Sequence, residues 1–210
     1  MKRIAAAFLL AIAAQAANAD GLKSLEAFLQ GTQSARADFT QVVTSPGKDG
    51  KTGRQKTSSG TFEFQRPGRF RFDYRKPFEQ TIVADGQTLW FHDVDLNQIT
   101  RRPQAQALGS TPAALLAAAP DLQGLRANFT LESAPEQDGL QWVQAKPKAA
   151  DGALQSVRVG LRGDQLAALE ILDSFGQRSV IRFANLQANP ALAVSTFQFK
   201  PPAGVDVISQ

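Results

Sequence analysis

His92 is the single histidine of the chain, and Asp93 and Asp95 follow it, so this is the one place where an imidazole and carboxylates stand together in sequence. Such a trio suits acid–base work only when a nucleophile lies beside it. No G-x-S-x-G elbow marks a serine, and the chain has no cysteine. One histidine without cysteine also leaves transition-metal binding to carboxylates, a poor donor set for zinc or copper. Phosphate loops and dinucleotide fingerprints are missing too. The expectation is a protein that is not an enzyme and that uses no metal and no cofactor, with His92 a polar residue near a strand end.

What the chain does have in quantity is aromatic surface: fourteen phenylalanines, two tryptophans and one tyrosine. Many stand at alternate positions, as in Phe62 and Phe64, or Phe70, Phe72 and Tyr74. Alternation places them on one face of each strand. Taken singly such residues are core; taken together they suit a sheet curved around an apolar concavity, the usual form of a lipid site.

Positioning such a face requires many strands, and turn residues punctuate the sequence accordingly. Arg66-Pro67-Gly68-Arg69, Asp85-Gly86, Asp138-Gly139, Asp151-Gly152 and Gly163-Asp164 separate runs of period two that include Phe39 and Val43, Val157 to Leu161, and Phe197 and Phe199. Strands joined by tight turns predict an antiparallel meander. Leu22, Leu25, Phe28 and Leu29 have helical spacing instead, with Asp20 as a cap before them and Gly31 as a stop. Two stretches interrupt the meander. Residues 44–59, polar and carrying Lys48, Lys51, Arg54 and Lys56, read as a solvated hairpin loop, with contact to a partner or to anionic headgroups as the alternative. Ser110-Thr111-Pro112 caps an all-apolar helix through Ala119, too short to persist uncovered in water.

The amino-terminal residues set the compartment. Met1-Lys2-Arg3, the apolar run Ile4 to Ala14 and Ala17-Asn18-Ala19 have the order of a cleavable leader, which makes 1–19 a signal peptide and 20–210 a single domain, soluble and exported. Without Lys2 and Arg3 the formal charge falls from +4 to +2, a balance that argues against nucleic acid as a partner.

Gly60-Thr61-Phe62-Glu63-Phe64-Gln65-Arg66-Pro67-Gly68-Arg69-Phe70-Arg71-Phe72, then Ala84-Asp85-Gly86-Gln87-Thr88-Leu89-Trp90-Phe91, then Ser110-Thr111-Pro112, and last Phe197-Gln198-Phe199-Lys200-Pro201-Pro202-Ala203-Gly204-Val205 resemble, in order, the landmarks of the LolA family of lipoprotein carriers. The resemblance implies a mainly β fold with helices (α+β), an unclosed antiparallel β-barrel of about eleven strands around a hollow apolar inside, covered by a helical lid. It implies a periplasmic monomer that takes acylated lipoproteins from an inner-membrane ABC transporter, LolCDE, and passes them to an outer-membrane receptor, LolB. LolB is itself acylated at a cysteine, which this chain lacks. A LolA-like sensor of lipid or lipoprotein would share fold and cavity.

Carried over by position, the lid helix falls on Thr111, Pro112, Ala113, Ala114, Leu115 and Leu116 through Ala119, and the lipid-binding cavity on Phe39, Phe62, Phe64, Phe70, Phe72 and Trp90. Arg66 becomes a latch that bonds backbone carbonyls of the lid when the cavity is empty. Read without the resemblance, Arg66 is position i of a type II turn that Pro67-Gly68 would form unaided. Ala113 and Ala114 stand where the family carries bulkier residues, which implies a weaker plug.

The leader reading generates one direct test. The exported protein should have the intact mass of a chain starting at Asp20, with no acyl adduct, and a retained leader would contradict it.

Overall fold

The computed structural model of the chain describes residues 20–47, 53–107, 119, 121–149 and 153–210. The expected leader, the Asp151-Gly152 turn and the expected lid helix, apart from Ala119, lie outside the described residues.

Runs of period two between turn residues become twelve strands: β1 (Ser34–Thr44), β2 (Gln55–Gln65), β3 (Arg69–Lys76), β4 (Gln80–Asp85), β5 (Thr88–Asp93), β6 (Gln98–Pro103), β7 (Phe129–Gln137), β8 (Leu140–Pro147), β9 (Leu154–Arg162), β10 (Gln165–Asp173), β11 (Arg178–Ala188) and β12 (Asp206–Ser209). Helical segments are α1 (Gly21–Gly31), α2 (Gln104–Ala107) and α3 (Leu122–Asn128). One sheet holds all the strands in the order β12-β6-β5-β4-β3-β2-β1-β11-β10-β9-β8-β7. It consists of two antiparallel meanders, β1 to β6 and β7 to β11, joined where β1 pairs with β11. The two ends, β12 and β7, are not paired with each other, so the sheet is unclosed.

A flat sheet of twelve strands would be about 50 Å across. Yet one cluster of buried apolar side chains takes members from both meanders, including Phe62, Phe70, Ala84 and Leu89 on one side and Val143, Val157, Leu169 and Ile181 on the other. The sheet is therefore curled about its apolar face. α1 lies across the β7–β10 half of that face and inserts Leu25, Phe28 and Leu29, each fully buried. Its start is held by the Asp20 carboxylate, which accepts from the Leu22 N–H at 3.0 Å and from the Ser133 hydroxyl. Its end differs from the expectation: Gly31 is still helical, and Thr32 is the cap, its N–H donating to the Phe28 carbonyl.

Three further expectations change. The hairpin loop is shorter than 44–59, because the polar residues Lys56 to Ser59 pair with β1 up to Thr44↔Gln55; a ladder partner makes a strand where the apolar period is absent. Phe197 sits in a 3₁₀ turn (Val194–Phe197) and Phe199 in extended chain outside any ladder. β12 is the unforeseen strand, pairing parallel with β6 at the edge of an otherwise antiparallel sheet.

Gly60 stands at the register shift between β2 and β3, where a Cβ would lie 1.9 Å from the Asp73 carbonyl oxygen, whereas one at Gly31 would meet open space. Gly60→Ala should destabilise the fold by about 2 kcal/mol or more, and Gly31→Ala should stabilise it by up to about 1 kcal/mol. Thermal unfolding of both variants checks the pair.

Candidate functional site

Register brings the aromatic residues of β1, β2 and β3 together. Phe62 faces Phe72 and Phe64 faces Phe70 across β2–β3, while Phe39 of β1 faces Gly60. The Phe62 and Phe72 rings stack at 4.4 Å, and Phe39 meets Phe72 edge-on at 5.2 Å and Tyr74 at 4.9 Å. Phe39, Phe62, Phe64, Phe70 and Phe72 are 0–3% exposed and belong to the one interior cluster. Phe28, Tyr74 and Phe183 join the same aromatic group, although only the first two stood out as periodic residues in the sequence.

Trp90 does not belong there. Alternation on β5 turns Leu89 into the interior cluster, while Trp90 pairs with Val83 and Arg101 on the opposite face. Its ring lies 5.4 Å from Phe199, below the Arg101 guanidinium at 6.0 Å, and its Nε1 donates to Asp85. The carboxy-terminal segment covers this outer face, as the bond from Arg71 to the Thr196 carbonyl also records. A half-buried aromatic residue can therefore belong to the outside of a curled sheet. His92 shares these surroundings, 5.8 Å from the Phe199 ring. No group of three or more potential metal ligands occurs among the described residues.

Arg66, in the turn between β2 and β3, points back over the interior. Gly68 adopts φ +74° two residues on, the conformation that lets the chain reverse there. The guanidinium carbon lies 5.2 Å from the Phe28 ring centre and 5.0 Å from that of Phe64. Nη1 donates to the Thr32 carbonyl at 2.8 Å, and Nε donates to the Ala119 carbonyl at 3.2 Å. Nη2 is buried without a partner among the described residues. Burial pushes the pKa down to about 10, which still leaves the side chain charged at neutral pH. Arg66 is thus a buried cation held by two aromatic faces and by carbonyls from two separate segments, not a solvated turn residue.

Past Tyr74 the inner face opens into a recess of about 500 Å³ lined by Val43, Lys56, Ser58, Tyr74, Phe78 and Leu96, among others. Phe78 and Leu96 are 55% and 69% exposed at its rim, and Lys56 Nζ stands 4.8 Å over the Phe78 ring. Tyr74 marks the boundary between packed interior and open rim. Its hydroxyl donates to Gln41 Oε1 at 3.0 Å, and burial pushes its pKa up from 10.0 to about 12.

Tyr74 is the only tyrosine, so phenolate absorbance reports on it alone. The folded chain keeps a proton that the unfolded chain loses, so this contribution to stability is complete below pH 10 and disappears as pH rises through about 12. The titration should centre near 12 in folded protein, and Tyr74→Phe should remove that part of the alkaline loss of stability. A midpoint near 10 in folded protein would place Tyr74 in solvent.

Comparison with known proteins agrees with this architecture. The profile described as "Outer membrane lipoprotein carrier protein LolA" matches residues 30–200. An outer-membrane lipoprotein carrier protein of Albidiferax ferrireducens is 67% identical over 92% of this chain and 93% of its own. One from Leptothrix cholodnii is 57% identical over 93% of this chain and 88% of its own. Among solved structures, an uncharacterized conserved protein from Thermus thermophilus superimposes with a TM-score of 0.52 over 90% of this chain and 97% of its own. At 11% identity it speaks to the fold alone. An unclosed curled sheet, an aromatic inner face and a matching profile over most of the chain together make this protein a member of the LolA family.

Proposed function

We propose that the chain is a periplasmic carrier that shields the acyl chains of lipoproteins between an inner-membrane ABC transporter (LolCDE) and an outer-membrane receptor (LolB). The observation that carries this reading is the single apolar interior of the unclosed barrel, with five phenylalanines of β1–β3 packed on one another and a rim recess leading up to them. Each acyl methylene taken from water contributes roughly 0.8 kcal/mol, so even partial entry of a multiply acylated anchor gives ample affinity. The names of the carrier proteins that resemble this chain support lipoprotein as the cargo.

Letting go is the harder half of such a task. A closed empty state that competes with cargo lowers the apparent affinity by the fraction of molecules that are open. Arg66 is placed for this: its Nε bonds the carbonyl of Ala119, the last residue of the segment to which the family resemblance assigns the lid. Ala119 is itself only 7% exposed and belongs to the interior cluster. Bonds to a charged group contribute roughly 1.5–3 kcal/mol each, enough to move an open–closed equilibrium about tenfold or more.

Arg66→Leu should still take up lipoprotein, and it should release it to acceptor membranes at least about tenfold more slowly than wild type. Arg66→Lys should fall between at best, because a point charge cannot reproduce the planar fork that reaches two carbonyls at once. Thermal unfolding separates loss of the Thr32 bond from loss of the lid. Uptake from donor and delivery to acceptor are measured separately; equal delivery by Arg66→Leu and wild type would sink the latch.

A further inference from the structure

On the inner face of the sheet the chemistry changes at one level. Phe39 on β1, Phe72 on β3 and Ile181 on β11 belong to the apolar interior. Two residues nearer the rim on each strand, and so on the same face, stand Gln41, Tyr74 and Ser179. These three are joined across the sheet: the Tyr74 hydroxyl donates to Gln41 Oε1 at 3.0 Å, and Gln41 Nε2 donates to Ser179 Oγ at 2.7 Å. Ser179 is buried, whereas Gln41 and Tyr74 border the 500 Å³ recess. A band of bonded polar groups therefore lies between the packed phenylalanines and the apolar rim at Val43, Phe78 and Leu96.

What this band presents to a ligand follows from its bonding. Accepting from Tyr74 fixes which end of the Gln41 amide is which, and its Nε2 carries two protons. Ser179 takes one, and no acceptor among the described residues takes the other. The amide thus has a donor to give, on a side chain at the recess. An acyl chain is hydrocarbon up to its carbonyl, whose oxygen only accepts, and that oxygen loses water as the chain moves inward; left unpaired it weakens binding. We propose that the Gln41 amide, held by Tyr74 and Ser179, is the donor for the carbonyl oxygen that joins an acyl chain to its headgroup, and so sets how far the chains run into the interior. This deepens the carrier reading and rests on it.

The test compares two synthetic lipopeptides on the mature protein, one with two palmitoyl chains joined to a glycerol by esters and one with hexadecyl ethers in their place. The chains match and the carbonyls are gone, so any difference in affinity reads the carbonyl alone. Wild type should bind the ester about fivefold more tightly than the ether, the worth of one ordinary hydrogen bond. The infrared band of carbon-13-labelled ester carbonyls should move to lower wavenumber on binding. Gln41→Leu and Gln41→Glu should bind both lipopeptides alike, at the wild-type affinity for the ether, and lose the infrared shift. Gln41→Glu is the sharper variant: its carboxylate still accepts from the Tyr74 and Ser179 hydroxyls but has no proton to give, so a merely structural role for Gln41 predicts an unchanged ester preference. Phosphatidylglycerol with the same two chains, as ester and as ether, repeats the comparison with a phosphate in place of the peptide. Whichever ester binds more tightly identifies the headgroup, and an ester preference supports the donor with either. Equal affinity of wild type for ester and ether, or an ester preference that survives in Gln41→Glu, would overturn the donor and leave the carrier standing. Failure of wild type to bind any of these lipids would sink the carrier reading and the donor with it. The wild-type arms need no variant, so if Gln41→Leu does not fold they decide together with Gln41→Glu.

Discussion

An open sheet with one apolar face must keep that face from water without the closure that would do so automatically. Twelve strands that do not meet at their ends leave two edges, β12 and β7, and a concave face too broad for one helix. Each device in this molecule answers that constraint. The curl lets β1–β5 and β7–β11 contribute to one cluster, α1 covers the half made by β7 to β10, and phenylalanines large enough to fill space fill the half made by β1 to β3. The carboxy-terminal segment then covers the outside of β3 to β5 through Thr196, Phe197 and Phe199, so that apolar residues such as Val83 and Trp90 can stand on the outer face as well.

Within this arrangement Arg66 is the costly component. A guanidinium out of water loses more than a pair of hydrogen bonds returns unless its surroundings are polarisable and its donors are used. Here the rings of Phe28 and Phe64 supply the first, and Thr32 and Ala119 supply part of the second. Among the described residues Nη2 has no partner. The same fork also ties α1 to β2, through the carbonyl of the residue that caps the helix. One side chain thereby links the Thr32 end of α1, the β2–β3 turn and Ala119.

Much of this was legible in the residues. Turn chemistry located the reversals at Arg66–Arg69, Asp85-Gly86, Asp138-Gly139 and Gly163-Asp164, because glycine at positive φ leaves few alternatives, as at Gly68, Gly86, Gly139 and Gly163. Alternation put Phe62, Phe64, Phe70 and Phe72 on one face for the same geometric reason. Trp90 was misassigned because aromatic character does not say which face a residue occupies, and here a distant segment covers the other one. Gln41 carried no signal at all: a glutamine becomes a link only when side chains of two other strands lie within reach. Lys56 to Ser59 and β12 were likewise hidden, since their strand character comes from a partner's backbone and not from their own apolar pattern.

The junction between the two meanders has a consequence for how the chain reaches this state. β1 begins at Ser34 and its partner β11 ends at Ala188, and the pairing Ala35↔Ala188 joins positions near opposite ends of the sequence. Each meander can form from local hairpins, but the seam that unites them must wait until almost the whole polypeptide is present. Loop-closure entropy of that size puts such a topology among the slow folders. Until the seam forms, the aromatic faces of β2 and β3 stand uncovered, so the newly made chain is for that interval a molecule with its own lipid-like surface exposed, in need of the kind of shelter that its mature form is built to give.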